Sequence, residues 1–515
     1  MNISKILQKR SFTGNAPKST LALYFLAAVF YDGIFEFFTL FVLLYVQQVS
    51  PIIREAPEIY SQMFFAVTLG LILIKVGCAF SWTFMGHFME SRSYRYGKYR
   101  TFFFLGTILT TFFFSLMFFV APLASGWLYV SLFLLFFLLM EVSYSMNDVA
   151  FWAFLNTLSS NEEKKGQYSA ALNFCAVIGT YIVASLAPAV GNSLFAMKLL
   201  GLLMIVSFSV TMIIFTIGMH EPVNEPVSEE ARKSSLFEPF RILFGDRQIF
   251  LIMACMLLIF IAQDCFIGNS ANYFYYMYGY GPFSGTGVKS SHTGSFVSFF
   301  FTVSFGIGQV LAEPLYPLLR KKLNKKQIII SSSFVLAALY SFLFFYCLVP
   351  GEPNEWALYV TTMLLSITHG QLFMTLFMNS MNASVYYQAK TGQNRNTSIQ
   401  SVRSFSAMNA NAIQTGIFYL TLIFGGLRKT DSQIAEIQAQ VITQSYGPSG
   451  NPFAEMNQVI ASADVGSGLL FFRSTLTLLP LALSLIAASI ALFHIPLTSE
   501  KEYEKMVTAV EEGKK

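Results

Sequence analysis

Residues Phe137 to Asn156 read FLLMEVSYSMNDVAFWAFLN. The stretch is apolar enough to lie in a bilayer, yet it carries Glu141, Tyr144, Asp148 and Trp152. Their spacing of i, i+3, i+7 and i+11 puts all four on one stripe of a helix. Ionisable groups in a membrane helix are costly and face a cavity or a partner, so they are functional candidates by default. A carboxylate beside an aromatic ring suits a polyhydroxylated ligand: the carboxylate accepts hydroxyl hydrogen bonds and the ring covers an apolar sugar face. The plainer alternative is that Glu141 and Asp148 are paired for packing alone.

Composition places this stretch in a membrane. The chain has 515 residues, 54% hydrophobic and 12% charged, with 55 phenylalanines. Soluble domains carry about a quarter charged residues, so the shortfall predicts an all-α, multi-pass membrane protein. The net charge of +5 is spread over short loops, which excludes a nucleic-acid-binding patch. Cys78, Cys175, Cys255, Cys265 and Cys347 all lie in apolar segments without a CxxC pair, against disulfides and a structural metal. The polar N-terminus lacks a signal-peptide core. No nucleophile–base pair, metal cluster or phosphate loop argues for an enzyme.

A spanning helix needs roughly 20 apolar residues. That rule predicts twelve spans at 20–47, 61–90, 101–121, 127–157, 168–191, 195–218, 247–279, 293–317, 327–349, 355–381, 400–427 and 468–494. Lys and Arg precede span 1, follow spans 2 and 4, and separate spans 8 and 9, whereas the opposite loops 48–60, 122–126 and 350–354 hold only Arg54. Both termini are therefore expected in the cytoplasm. The polar segment 219–246 divides the spans six and six, giving an N-terminal bundle (1–218), a central linker, a C-terminal bundle (247–497) and a cytoplasmic tail (498–515). Within the linker, SSLFEPFRILF reads as an amphipathic helix on the membrane surface. The external insertion 428–465, polar and containing GPSGNP, is expected to be a lid-like or partly ordered loop.

Two six-helix halves joined by a cytoplasmic linker resemble the major facilitator transporters, which bind substrate near the midplane between the halves. Arg95-Tyr-Gly-Lys-Tyr-Arg100, preceded by Met85-Gly86, resembles the loop after helix 2 of the glycoside–pentoside–hexuronide cation symporters, the family of melibiose permease. Tyr144-Ser-Met-Asn-Asp148-Val-Ala-Phe-Trp152 resembles its helix-4 segment. Lys390-Thr-Gly-Gln-Asn-Arg395 resembles its TGxR run before helix 11, and Asp32 falls where the family has its helix-1 aspartate. The resemblance implies a sugar held between Asp32 and Asp148 and stacked on Trp152, with Tyr144 beside it and Asn173 and Asn409 at positions of the family's helix-5 arginine and helix-11 lysine.

The departures from the family bear on the coupling ion. Its sodium-using members carry two aspartates on helix 2, and counting back from Gly97 puts Cys78 and Trp82 there. Neither supplies the oxygen ligand a hard cation wants. Acidic positions beside the TGxR run become Tyr386, Ala389 and Thr397. The expectation is a transporter without sodium and without a cofactor. Lys75 on span 2 is expected to pair with Asp32 or Glu36, unless it snorkels to an interface. A proton would couple through Glu36, Glu141 or Asp264, with uncoupled transport left open. Arg95, Lys98 and Arg395 are expected at the cytoplasmic gate, Arg95 and Lys98 pairing with Glu90, and Arg403 is grouped with the gate rather than the substrate. Amides on the C-terminal half, among them Asn269 and Gln414, are either ligand contacts or glue between helices.

The sequence thus predicts alternating-access transport of a sugar or glycoside by a monomer in the bacterial inner membrane. A carrier of an amphiphile such as a lysolipid, or a non-transporting sensor or assembly protein that keeps the fold, are the alternatives.

Overall fold

The computed structural model describes residues 11–48, 57–92, 94–159, 161–190, 194–222, 235–281, 292–349, 354–442, 451–463 and 465–512. Loop residue Arg54, the end loop 350–353 and the terminal lysines Lys514 and Lys515 lie outside them. The first group of long helices is α1 (Lys18–Gln48), α2 (Pro57–Ser91), α3 (Lys98–Ser115), α4 (Gly126–Leu155), α5 (Glu162–Val190) and α6 (Leu194–Gly218). The linker holds the short α7 (Glu238–Gly245). The second group comprises α8 (Arg247–Gly268), α9 (Ser270–Tyr278), α10 (Gly294–Arg320), α11 (Lys325–Phe342), α12 (Glu355–Thr391) and α13 (Asn396–Phe424). The short α14 (Arg428–Ile442) and α15 (Pro452–Ser462) then precede α16 (Val465–His494) and the terminal α17 (Glu500–Glu512).

Continuous apolar runs explain these elements, because in lipid a helix satisfies its own backbone groups. Among the described residues, 11 segments are long and apolar enough to cross a membrane. The twelfth expected span is present as α13, but its Ser, Asn and Gln content leaves it short of that apolarity. Span 7 is broken at the buried Asn269, where α8 gives way to α9. Span 10 runs past its expected end at 381 to Thr391. The insertion 428–465, expected as a lid-like or partly ordered loop, holds two short helices among its described residues, α14 and α15, where apolar residues recur at helical spacing. Asp431 of α14 accepts from the Tyr276 hydroxyl at 3.0 Å, and Asn457 of α15 bonds both the N–H and the carbonyl of Tyr280 at 2.7 and 2.9 Å. Burial raises the Asp431 carboxyl, with the tyrosine hydrogen bond opposing it.

Small residues let the helices approach. A Cβ on Gly179 of α5 would sit 1.8 Å from the Val29 carbonyl of α1, so those backbones touch. Tyr24, Phe151, Phe154 and Phe215 fill the centre of the first group with offset and edge-on ring contacts. The groups meet along α2 with α13 and α5 with α10, while α4 also touches α13. At the end of the bundle nearest the linker, a two-residue parallel pair joins β1 (Ser11–Phe12) to β2 (Glu221–Pro222). Gly97, at φ 105, lies against Glu221 so closely that a Cβ would fall 1.9 Å from Oε2. Glu221 in turn accepts from the backbone N–H of Arg100 at 2.5 Å. The glycine of the Arg95–Arg100 motif is therefore a seat for the linker. The expected surface helix exists as α7, whose Phe240 ring meets Phe80 of α2 and Phe405 of α13 at 5.7 and 5.3 Å.

Candidate functional site

Asp148 is the point on which α1, α2 and α4 converge. Its Oδ1 accepts from the Tyr31 hydroxyl at 2.6 Å and from Trp152 Nε1 at 3.2 Å, and its Oδ2 accepts from Trp82 Nε1 at 2.9 Å. Three donors to one carboxylate, each carried by a flat aromatic, offset the cost of placing a charge among apolar helices. The rings are themselves fixed. Tyr31 stacks between Phe151 (centroids 4.3 Å, 8°) and Tyr144 (5.2 Å, 15°). Tyr144 is 1% exposed and packs behind Tyr31, a positioning place rather than a lining one. Trp82 stands where the family resemblance located a sodium acid, and here its indole N–H faces the Asp148 oxygen.

The opposing group supplies a cation. Arg403 of α13 is buried, with its guanidinium carbon 4.5 Å from the Trp152 ring centroid and 5.3 Å from that of Phe377 on α12. Guanidinium over an indole face is a favourable stack. Its Nε and Nη2 have no hydrogen-bond partner, and Asp148 and Asp32 both act on it electrostatically. Assignment of Arg403 to the gate is thus corrected: two turns inside α13, its long side chain reaches inward to Trp152. In the sequence Arg403 stands only three residues inside the expected span 400–427 and close to Arg395, which is why it reads there as part of the gate. Asp32 of α1 adds a buried Oδ2 without a partner, lying in the fields of Asp148, Glu36 and Arg403.

The other expected residues divide. Lys75 acts electrostatically on Glu36 and on Glu141, but no ion pair within 4 Å joins it to either, or to Asp32, among the described residues. The expected contact pair is therefore replaced by one cation shared at longer range, since α2 sets Lys75 between α1 and α4. Asp264 of α8 lies in the field of Glu36 across the two groups. Asn173 donates to the Ser169 carbonyl at 2.9 Å and to Met374 Sδ at 3.7 Å, and Asn409 donates to the Phe405 carbonyl at 2.8 Å. Gln414 donates to Asn269 Oδ1 at 2.7 Å, an amide pair that braces the broken span.

At the linker end the two groups are clamped. Glu90 of α2 accepts from the N–H groups of Thr397 and Ser398 at 2.5 and 3.0 Å and from the Ser398 hydroxyl at 2.5 Å. A carboxylate at the start of α13 meets unsatisfied N–H groups and the positive end of the helix dipole. Asn156 of α4 donates to the Met381 carbonyl, Ser384 Oγ and Asn396 Oδ1 at 3.1, 2.8 and 2.5 Å. Glu90, expected to pair with Arg95 and Lys98, is engaged by the start of α13. Arg95 is exposed over the Tyr96 ring, and Lys98 lies over Tyr99. Arg395 is buried in the clamp, its Nε donating to Gln393 at 3.3 Å. Asp246, ahead of α8, accepts from Lys390 Nζ at 2.7 Å and from the N–H groups of Gln248 and Ile249. Burial works to raise its carboxyl, but those hydrogen bonds outweigh it and hold the group below the usual carboxylate range.

A family described as MFS/sugar transport proteins matches residues 37–450. The chain belongs to that family, and is a multi-pass membrane protein. Curated relatives include a lactose permease of Lactobacillus helveticus, 22% identical over 67% of this chain, and a raffinose carrier protein of Pediococcus pentosaceus, 21% identical over 86% of it. The chain spans 53% and 64% of the length of these two relatives. Among solved structures, a proton:xylose symporter has TM-score 0.56 at 8% identity, covering 95% of this chain and 98% of that one. The fucose:proton symporter of E. coli has TM-score 0.52 at 14% identity, covering 86% of this chain and 97% of that one. At these identities the structural likeness establishes the major facilitator fold.

Proposed function

We propose that the chain is a secondary active transporter moving a sugar or glycoside across the bacterial inner membrane by alternating access, with a proton rather than sodium as the coupling ion. The observation that carries the reading is Asp148, aimed by Tyr31, Trp82 and Trp152 and faced across the bundle by Arg403. A carboxylate, a guanidinium and a half-buried indole together accept from, donate to and cover a sugar ring. The curated relatives named for lactose and raffinose support a glycoside over an amphiphile.

Taking the linker end as cytoplasmic, the Glu90 and Asn156 contacts close the inner gate, so the substrate enters from outside. Opening that gate breaks the α13 cap and draws Arg403 away from Trp152. The sodium argument is local: Cys78 and Trp82 stand where sodium-using members carry acids, and the Trp82 indole N–H donates to Asp148 instead of supplying an oxygen ligand. Counterflow exchange in proteoliposomes preloaded with lactose, raffinose or other labelled glycosides tests the reading. Exchange by the wild type that is lost in Asp148→Asn supports it; exchange indifferent to that substitution contradicts it.

A further inference from the structure

The second group of helices holds a buried carboxylate that the site above does not use. Glu313 lies seven residues before the Arg320 end of α10, is 1% exposed, and its Oε2 has no hydrogen-bond partner. No ion pair or hydrogen bond reaches it among the described residues. Gly306, Gln309 and Glu313 are spaced i, i+3 and i+7, so they share one stripe of α10. That stripe faces the other group: a Cβ on Gly306 would meet the Tyr181 ring of α5 at 2.6 Å. Along the antiparallel α5, seven residues from Tyr181 brings Phe174, beside Asn173, to the level of Glu313.

The surroundings are polar but uncharged. Gln309 Nε2 and Gln371 Oε1 are also buried without partners, as are both ring nitrogens of His369. Gln371 of α12 donates to the Ala312 carbonyl at 2.7 Å, which fixes α12 against this turn of α10. The ionisable groups that neighbouring helices carry within two turns of this depth are His369 of α12 and Tyr168, Cys175 and Tyr181 of α5, and α10 itself adds Tyr316; α9 packs nearer the far end. None is an arginine or lysine. An ionised carboxylate buried without a cation is far more costly than one that holds its proton.

We infer that Glu313 is a proton-binding site at the α5–α10 seam, holding a proton while the seam is closed and exchanging it with water when the two groups part. Its O–H bond breaks as water enters the seam and re-forms as the seam shuts. Of the three acids first considered for coupling, Glu36 and Glu141 share the field of Lys75, and Asp264 lies in the field of Glu36. Glu313 has neither a cation nor a second carboxylate acting on it, so a bound proton is what neutralises it. The transport role of that proton rests on the sugar-transporter reading; the binding of the proton does not.

Infrared difference spectroscopy on the full chain in liposomes, titrated from acid to alkaline pH, reads the site without any sugar. The wild type is expected to show a carboxylic-acid carbonyl band that disappears on alkalinisation, and Glu313→Gln, which keeps the side-chain shape, is expected to lack that band. Glu313→Asp should restore a titrating band. Wild-type and Glu313→Gln spectra with the same titrating bands would overturn the inference, whatever sugar the chain carries. Where the wild type exchanges sugar, Glu313→Gln should keep counterflow within about twofold while losing accumulation driven by a pH gradient. Retained pH-driven accumulation in that variant would equally overturn it.

Discussion

Asp148 receives its three hydrogen bonds from side chains on α1, α2 and its own helix, so each donor can be removed singly. Trp82→Phe keeps a ring in place but deletes the N–H to Oδ2. A hydrogen bond to a charged group is worth about 1.5–3 kcal/mol, so the half-saturation for sugar counterflow should rise about ten- to a hundredfold. An unchanged value would remove Trp82 from the site. Lys75→Ala should lower transport without conferring sodium dependence, because Glu36 and Glu141 lose their shared cation; full activity in that variant would show that Lys75 is not needed. The Glu141–Tyr144–Asp148–Trp152 stripe was legible because helical period alone decides it. The pairing of Trp82 with Asp148, the reach of Arg403 to Trp152 and the isolation of Glu313 were not, since each depends on which helix lies opposite.

Among elements, α13 illustrates how function departs from the hydropathy rule. Its first turns carry Ser, Thr, Asn and Gln because they meet α2 and α4, so the same polarity that leaves it short of the apolarity of the other 11 segments marks it as a part of the contact between the groups. Glu90 caps its start. Glu90→Gln, which weakens the cap by about 1 kcal/mol, should loosen the clamp. Alkylation of a cysteine introduced by Ser384→Cys, probed from the linker side, should then quicken by about fivefold, and an unchanged rate would contradict the clamp. Asp246 gives a pH prediction. Its folded-state carboxyl is held below the usual range, so it stabilises the fold above the unfolded value of about 3.9. That contribution is lost as pH falls below about 4, through the folded value. Asp246→Asn should therefore lower the melting temperature at neutral pH, and the difference from wild type should shrink on acidification. A difference independent of pH would mean that Asp246 acts by shape alone. The α14–α15 pair was the element least legible beforehand, because its polar composition and GPSGNP run read as loop while its short apolar stripes sufficed for two docked helices.

At the scale of the whole molecule, the two groups of helices touch at a carboxylate–indole–guanidinium centre and are clamped at one end only by described side-chain hydrogen bonds. The apolar runs and the polar linker made this architecture readable from the chain, whereas the state of the clamp follows from contacts between residues more than 200 positions apart, such as Asn156 with Ser384 and Asn396. The central claim is that this centre moves a sugar on the proton gradient with the sodium site filled by Trp82. The direct measurement is sugar uptake into proteoliposomes with imposed pH and sodium gradients varied separately. Accumulation that follows the pH gradient and ignores sodium is the predicted result; accumulation that follows sodium at constant pH would contradict it.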